Sequence, residues 1–297
     1  MSVRPDVHSG EGLDAYITGM ARSKGDKARI LEHVKPGAIL ELGCGSGAVL
    51  ELLHEWTPDS RLVGVDLSAK LLGVASRSLR GGASLYRRDI FEHLYPDPAS
   101  LGEGAFDTVI LCSALHELAT FALERPDAFS EPGMSPMTVA AKRVFTLARA
   151  ILKPGGVLIV RDGVQPKARD VRLRFRNPEI EERFWRFADD FRPFELEFSV
   201  TDGVYSLSST HLYEFATKYF YETNWDVEVG EYFGWASSTH LRDLMRATGF
   251  EPQEPQVYTI PFLAEKWSRD LDLTDAIGQP YLLPSTQIVV GRVPEHL

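Results

Sequence analysis

The chain has 297 residues, 44% of them hydrophobic, with 42 acidic against 32 basic side chains and a formal net charge of −10. That content supports a sizeable core, no apolar run approaches the ~20 residues a bilayer-spanning helix needs, and the acidic balance argues against broad attraction to nucleic acid. The opening residues, Met1 to Asp6, lack a signal peptide's apolar stretch, and the two cysteines, Cys44 and Cys112, have no metal-ligand spacing, so a reduced cytoplasmic protein without a metal is expected.

Ala15 to Val34 reads as helix interrupted at Gly25. Ala38-Ile39-Leu40 is a buried strand that runs into Glu41-Leu42-Gly43-Cys44-Gly45-Ser46-Gly47, and Ala48 to Trp56 starts a helix whose first amides point at a ligand. Leu62 to Val65 forms a second strand closing on Asp66, about 20 residues beyond the first, the spacing at which a carboxylate takes ribose hydroxyls. Ser84 to Ile90, with Asp89 near its end, reads as a third strand; Phe106 to Leu111 is the fourth and leads into Cys112, Ser113 and His116. Ser135-Pro136 caps and starts a helix with apolar positions at Val139, Val144, Leu147 and Ile151. Lys153 to Gly156 then reads as a turn and Val157 to Val160 as the fifth strand, with Arg161 and Asp162 at its tip. Strand alternating with helix predicts an α/β fold, a doubly wound and mostly parallel sheet with its ligand beyond the strand ends.

The glycines alone also fit a dinucleotide fingerprint, as Gly43-x-Gly45-x-x-Ala48. Glu41 separates the cofactors. A carboxylate at the tip of the first strand would meet the pyrophosphate of NAD with like charge, whereas the ammonium and sulfonium of S-adenosylmethionine attract it.

The segments ILELGCGSG, GVDLS, RRDI, FDTVILCSALHEL and ILKPGGVLIVRDG occur in that order across roughly residues 35 to 163, and the pattern resumes near Ser238. In this the chain resembles the class I S-adenosylmethionine-dependent methyltransferases. The resemblance implies a seven-stranded Rossmann-like sheet with an antiparallel closing strand, and S-adenosylmethionine as methyl donor with S-adenosylhomocysteine as product. It implies that Glu41, Gly43, Cys44, Gly45 and Gly47 hold the methionine moiety, Asp66 with Leu67 the ribose, and Asp89 with Ile90 the adenine. Cys112 and Ser113 would border the sulfonium, and Tyr16, on an N-terminal segment folded over the cofactor, would touch the methionine end, with Lys24 or Lys27 at its carboxylate.

The expected organisation is a covering segment over 1–34, a core over 35–163 and 239–297, and a helical lid inserted at 164–238 for the substrate. Thr239 to Thr248 reads as the last core helix, capped by Ser238 or Thr239 and stopped at Gly249, with strands near Gln256 to Ile260 and Thr286 to Val293. The insertion holds 17 of the 31 aromatic residues, so it must bury them. Ile180, Phe184, Phe187 and Phe191 recur at helical spacing, as do Leu212, Phe215, Ala216 and Tyr219. Tyr205, Tyr221, Trp225, Tyr232 and Trp235 lie off these stripes and are the candidates for a substrate wall. His211, Glu214 and Lys218 share a helix face; turned into a cleft it offers substrate-binding groups, and the outward reading makes Glu214 and Lys218 a surface pair. Arg172, Arg174 and Arg176 alternate on an extended face that suits a phosphate or carboxylate, or is simply ion-paired. His116 and Asp162 are the candidate catalytic residues and Arg161 a candidate to fix the acceptor. The expected activity is methyl transfer to an oxygen, nitrogen or carbon of a small, aromatic or partly apolar metabolite. RNA methylation, a non-catalytic cofactor-binding role and, last, an NAD-dependent oxidoreductase are the alternatives; the oligomeric state is left open, a homodimer included.

Overall fold

The computed structural model describes residues 24–295; Tyr16 and most of the N-terminal covering segment lie outside the described residues. After one helical turn at Lys24–Lys27 and a 3₁₀ helix at Ala28–His33, the chain forms β1 (Ala38–Leu42), α1 (Ala48–Trp56), β2 (Arg61–Asp66), α2 (Ala69–Leu79), β3 (Ser84–Arg87), β4 (Phe106–Cys112), α3 (Leu115–Leu123), α4 (Pro136–Ile151) and β5 (Leu152–Gly163). There follow β6 (Asp170–Phe175), α5 (Pro178–Asp190), β7 (Phe198–Thr201), β8 (Val204–Ser208), α6 (Ser209–Lys218), α7 (Ser238–Ala247), β9 (Glu251–Pro252), β10 (Gln256–Tyr258), α8 (Pro261–Asp270), β11 (Leu271–Asp275) and β12 (Thr286–Arg292).

The larger sheet has the order β10-β12-β5-β4-β1-β2-β3, with β9 also paired to β12. β1 is buried at every position, as a strand covered on both faces must be. Its pairings with β2 and β4 are parallel, as are those of β2 with β3 and β4 with β5, while β9 meets β12 antiparallel. The chain moves outward from β1 to β3 and returns to β4 on the other side of β1, which makes the carboxyl ends of β1 and β4 the switch point of the sheet. No helix among the described residues is long and apolar enough to cross a membrane.

Two local expectations change. The third strand ends at Arg87 because the Asp89 side chain accepts hydrogen bonds from the amides of Phe91 and Glu92 and so starts a helical turn. Lys153 to Gly156 is part of β5 rather than a turn before it. Phe106 pairs with Leu152 and Thr108 with Val157, so the extra residues bulge within the ladder, and Gly155, at φ +70°, donates its N–H to Val293 O at 3.0 Å.

The chain divides into two compact units. The first takes the residues up to Asp162, Thr239–Pro255 and the stretch from Ile288; the second is Gly163–Ser238 with Gln256–Gln287. The core boundary of 239–297 is therefore corrected. Residues 256–287 belong with the insertion because β11 pairs antiparallel with β6, from Leu271 opposite Phe175 to Asp275 opposite Val171. Nor is the insertion wholly helical. It contains an antiparallel sheet of order β11-β6-β8-β7, with α5 and α6 among the elements between its strands.

In the second unit strand alternation sends Val171 and Leu173 inward and leaves Arg172, Arg174 and Arg176 exposed. Arg174 stands opposite Asp272, and Arg176 approaches the same carboxylate at 3.6 Å, so an acid divides this face. The helical stripes of α5 and α6 form the core, where Phe184 meets Phe215 edge-on at 5.0 Å. Tyr205 and Trp225 are not cavity walls. Both belong to that core, at 2% and 5% exposure, because Tyr205 lies on the inward register of β8 and Trp225 donates its indole N–H to Asp190 at 2.6 Å.

Candidate cofactor and catalytic site

The turn between β1 and α1 is shaped by glycines. Gly43, Gly45 and Gly47 have φ of +76°, +50° and +85°, and a Cβ on Gly43 would lie 2.7 Å from the Ala114 methyl. These residues make the turn because side chains rarely adopt that conformation and because the turn lies against the segment after β4. The amides of Gly43 and Cys44 both donate to Val65 O, at 2.8 and 3.0 Å, and that of Gly45 donates to Asp66 Oδ2 at 2.8 Å. Asp66 Oδ1 accepts from the Ser68 amide at 2.8 Å, so its carboxylate links the glycine turn to the head of α2. Leu67, half-buried, follows it.

Glu41 is 2% exposed, and among the described residues its Oε2 has no hydrogen-bond partner. Burial pushes its carboxyl up to about 8; the Lys27 ammonium opposes the shift and the Asp66 carboxylate adds to it. A buried acid of this kind is costly by itself and is satisfied by a cation, so the position fits the α-ammonium of S-adenosylmethionine. Ile90 and Asp89 are buried beyond β3. Burial pushes both thiols, Cys44 and Cys112, above their ordinary range, which makes them compact lining groups rather than nucleophiles. Ser113 follows with φ +57°, a left-handed conformation in a residue that has a Cβ.

His116 and Asp162 come together. Because β4 and β5 are neighbours, with Cys112 opposite Arg161, the first turn of α3 meets the tip of β5. His116 Nδ1 lies 2.6 Å from Asp162 Oδ1, the His116 backbone N–H donates to Asp162 Oδ2 at 3.0 Å, and Thr120 Oγ1 donates to the His116 carbonyl at 2.8 Å. The side chains are 9% and 3% exposed. A proton on Nδ1 would be donated to this carboxylate, which favours the tautomer whose Nε2 carries the lone pair. Arg161 points elsewhere: its Nη1 donates to Ser113 Oγ at 3.0 Å and its Nη2 is ion-paired with Asp26. Asp26 had no sequence signal, since nothing local announces a partner at the end of β5.

The remaining candidates lie in the second unit. His211 accepts the Glu197 amide on Nδ1 at 2.9 Å and borders an open hollow of about 260 Å³ with Asp170, Glu197, Ser206, Leu207 and Ser208. Glu214 and Lys218 are fully buried, which overturns the outward-facing reading. They form an ion pair, and the Glu214 carboxylate also accepts the amides of Gly234 at 2.7 Å and Phe233 at 3.2 Å. Lys218 Nζ sits 3.8 Å from the centre of the Phe233 ring. Glu214 thus holds backbone of its own unit. Tyr232 is half-buried, and burial raises its hydroxyl's pKa, with Glu214 adding to the shift and a Gln165 hydrogen bond opposing it. Trp235 is 9% exposed.

Residues 39–131 match the family model of a methyltransferase domain. The chain is 27% identical over 155 residues to the protein named probable methyltransferase ltbC of Aspergillus luteorubrus, covering 48% of this chain and 46% of that one. It is 32% identical over 145 residues to the release factor glutamine methyltransferase of Rhodospirillum rubrum, covering 46% and 42%. The chain thus spans less than half the length of these curated relatives. Among solved structures, a chain from the complex of the Haloferax volcanii Trm112 methyltransferase activator with a methyltransferase aligns with a TM-score of 0.55 at 15% identity, over 99% of this chain and 100% of that chain. That likeness is one of fold.

Proposed function

We propose that this chain, a member of the class I S-adenosylmethionine-dependent methyltransferase superfamily, is an enzyme that methylates a small metabolite at an oxygen, nitrogen or activated carbon that must lose a proton. The observation that carries the acceptor chemistry is the buried His116–Asp162 pair, with Nδ1 held at 2.6 Å from the carboxylate. S-adenosylmethionine supplies a methyl group already activated on a sulfonium. In this reading Glu41 takes the donor's ammonium, Asp66 its ribose hydroxyls, and Asp89 with Ile90 its adenine, while the Cys112–Ser113 backbone borders the sulfur. His116 would take the acceptor's proton, and the bound donor would supply the methyl group with its sulfur as the leaving group. Asp162 keeps the imidazole in the right tautomer and stabilises its charged form. Holding the acceptor in line supplies most of the remaining acceleration. We assign acceptor recognition to the insertion, with Tyr232, Trp235 and His211 as the residues to probe.

Transfer of label from methyl-labelled S-adenosylmethionine into fractionated cell extract tests this reading. Nuclease-resistant label in a small molecule is expected. Nuclease-sensitive label would establish the RNA alternative, although the Asp272 carboxylate interrupts the arginine face that alternative needs. Cofactor binding with no label in any fraction would establish the non-catalytic one.

Glu41 gives the cofactor step a pH dependence. Its carboxyl is protonated in the free protein below about 8, whereas pairing with an ammonium requires the carboxylate, so binding expels a proton. Affinity for S-adenosylhomocysteine should therefore rise with pH by up to about tenfold per unit and level off above the Glu41 titration. Calorimetry in buffers of different ionisation heat counts the released proton. A flat affinity across that range, with no proton released, would remove Glu41 from this role.

A further inference from the structure

β7 is the last strand of the smaller sheet, and no other strand among the described residues pairs with its outer side. The opposite edge of that sheet is covered: Asp275 donates its N–H to the Gln279 carbonyl at 2.8 Å, Tyr281 donates to the Leu273 carbonyl at 2.9 Å, and Pro280 bridges to Thr274. β7 itself, Phe198-Ser199-Val200-Thr201, has no charged residue and no proline, the devices by which natural edge strands block pairing. Its hairpin with β8 turns on Asp202 and Gly203, at φ +50° and +69°, with Thr201 opposite Val204. A two-residue turn of this kind closes on a hydrogen-bonded pair, so Thr201 and Ser199 bond to β8, while Phe198 and Val200 direct their N–H and C=O groups to the open side. Apolar side chains are exposed there too. Val200, opposite the buried Tyr205, is 44% exposed, and Trp185 on α5, with its ring 5.3 Å from that of Phe198, is 46% exposed.

We propose that this edge is the interface of a homodimer, in which β7 pairs antiparallel with β7 of a second copy about a two-fold axis at Ser199 and joins the two smaller sheets into one. Opposed residues in an antiparallel pair share a face, so Phe198 of each copy stands opposite Val200 of the other on the apolar side, where the free backbone groups of both residues meet. Ser199 then faces its own copy, and Glu197 faces Thr201. The register with Val200 opposite itself would instead set Phe198 against the Asp202 turn. Charge supports a second copy as the occupant. Arg174 Nη1 donates to the Asp202 carbonyl at 3.3 Å, which holds the guanidinium at the hairpin turn, and the pairing brings the other copy's exposed Glu197 beside that turn, twice by symmetry. The same pairing covers the Trp185 and Val200 surfaces. The dimer does not depend on the methyl-transfer reading.

Sedimentation equilibrium of the whole chain over a concentration series tests this. A short strand pair buries a modest area, so a dimer with a roughly micromolar dissociation constant is expected. Val200→Lys places two ammonium groups against the apolar Phe198 side chains of the pair and should weaken the dimer at least about tenfold, while far-UV circular dichroism stays that of the wild type. Cross-linking checks the register. Opposed residues of a non-hydrogen-bonded antiparallel pair have Cα atoms about 4.5 Å apart, within disulfide reach, so Ser199→Cys should oxidise to a covalent dimer. Ser206→Cys, exposed on the same face but one strand inward, should not, and Cys44 and Cys112 are buried and give no background. A chain that stays monomeric up to about 0.5 mM overturns the proposal. So does a dimer that Val200→Lys leaves intact, or one in which Ser206→Cys cross-links as readily as Ser199→Cys. Should Val200→Lys fail to fold, the wild-type association and the two cysteine variants decide on their own.

Discussion

His116→Ala is expected to slow methyl transfer by roughly 10²- to 10⁴-fold, the usual contribution of a positioned general base, while S-adenosylhomocysteine affinity stays within about twofold. The imidazole has one nitrogen committed to Asp162 at 2.6 Å, so under the proposed mechanism its loss would remove the proton acceptor without touching Glu41 or the glycine turn. Asp162→Asn should act in the same direction. The amide removes the charge that stabilises the imidazolium and allows the other tautomer, in which Nε2 carries the proton and cannot accept one. Label transfer at saturating cofactor and the affinity for S-adenosylhomocysteine separate the two effects. Turnover unchanged in both variants would leave His116 a structural residue capping β5 against α3, and the acceptor would then be one that needs no base.

The second large effect lies in the insertion. Lys218→Met should destabilise its unit by roughly 3–5 kcal/mol, because it leaves the Glu214 carboxylate charged and fully buried with only the Phe233 and Gly234 amides for compensation. Adding Glu214→Gln to Lys218→Met should then restore part of the loss, since no unpaired charge remains and the amide oxygen still accepts one backbone N–H. Urea unfolding followed by tryptophan fluorescence suits the measurement: Trp185, Trp225, Trp235 and Trp267 all lie in this unit and Trp56 in the other. A double variant less stable than Lys218→Met would show that the carboxylate is not the source of the cost.

The parts of the fold legible in the sequence are those fixed by short-range pattern. The run of apolar residues before Glu41, the glycines and the helix that follows specify a buried strand, a left-handed turn and α1 within about twenty residues. Ser135-Pro136 marks the start of α4 because its hydroxyl caps the Thr138 amide. Long-range partners are what the sequence conceals. Lys153 to Gly156 has the composition of a turn, and only the register of β4 and the carbonyl of Val293 draw it into β5. Glu214 and Lys218 have the spacing of a solvent-exposed helical pair; their burial comes from Phe233, Gly234 and Phe191, outside α6. The residues of the candidate site show the same division. His116 and Asp162 each stand out at a strand end, but their contact spans 46 positions and is visible only once β4 and β5 are neighbours. Asp26 had no signal at all, and the association of β11 with β6 joins segments with no local cue to pair.

The division of the chain into interleaved pieces constrains how a ribosome can deliver it. β12, which flanks β5 in the larger sheet, is synthesised after the whole second unit: the Gly163 carbonyl accepts its hydrogen bond from Gln287, 124 residues further on. Until then the apolar edge at Val157–Val160 emerges bare on that side, while the insertion can already gather its aromatic residues. A chain that stops short of Thr286 would therefore leave that edge of β5 open, the kind of unpaired strand edge that favours aggregation.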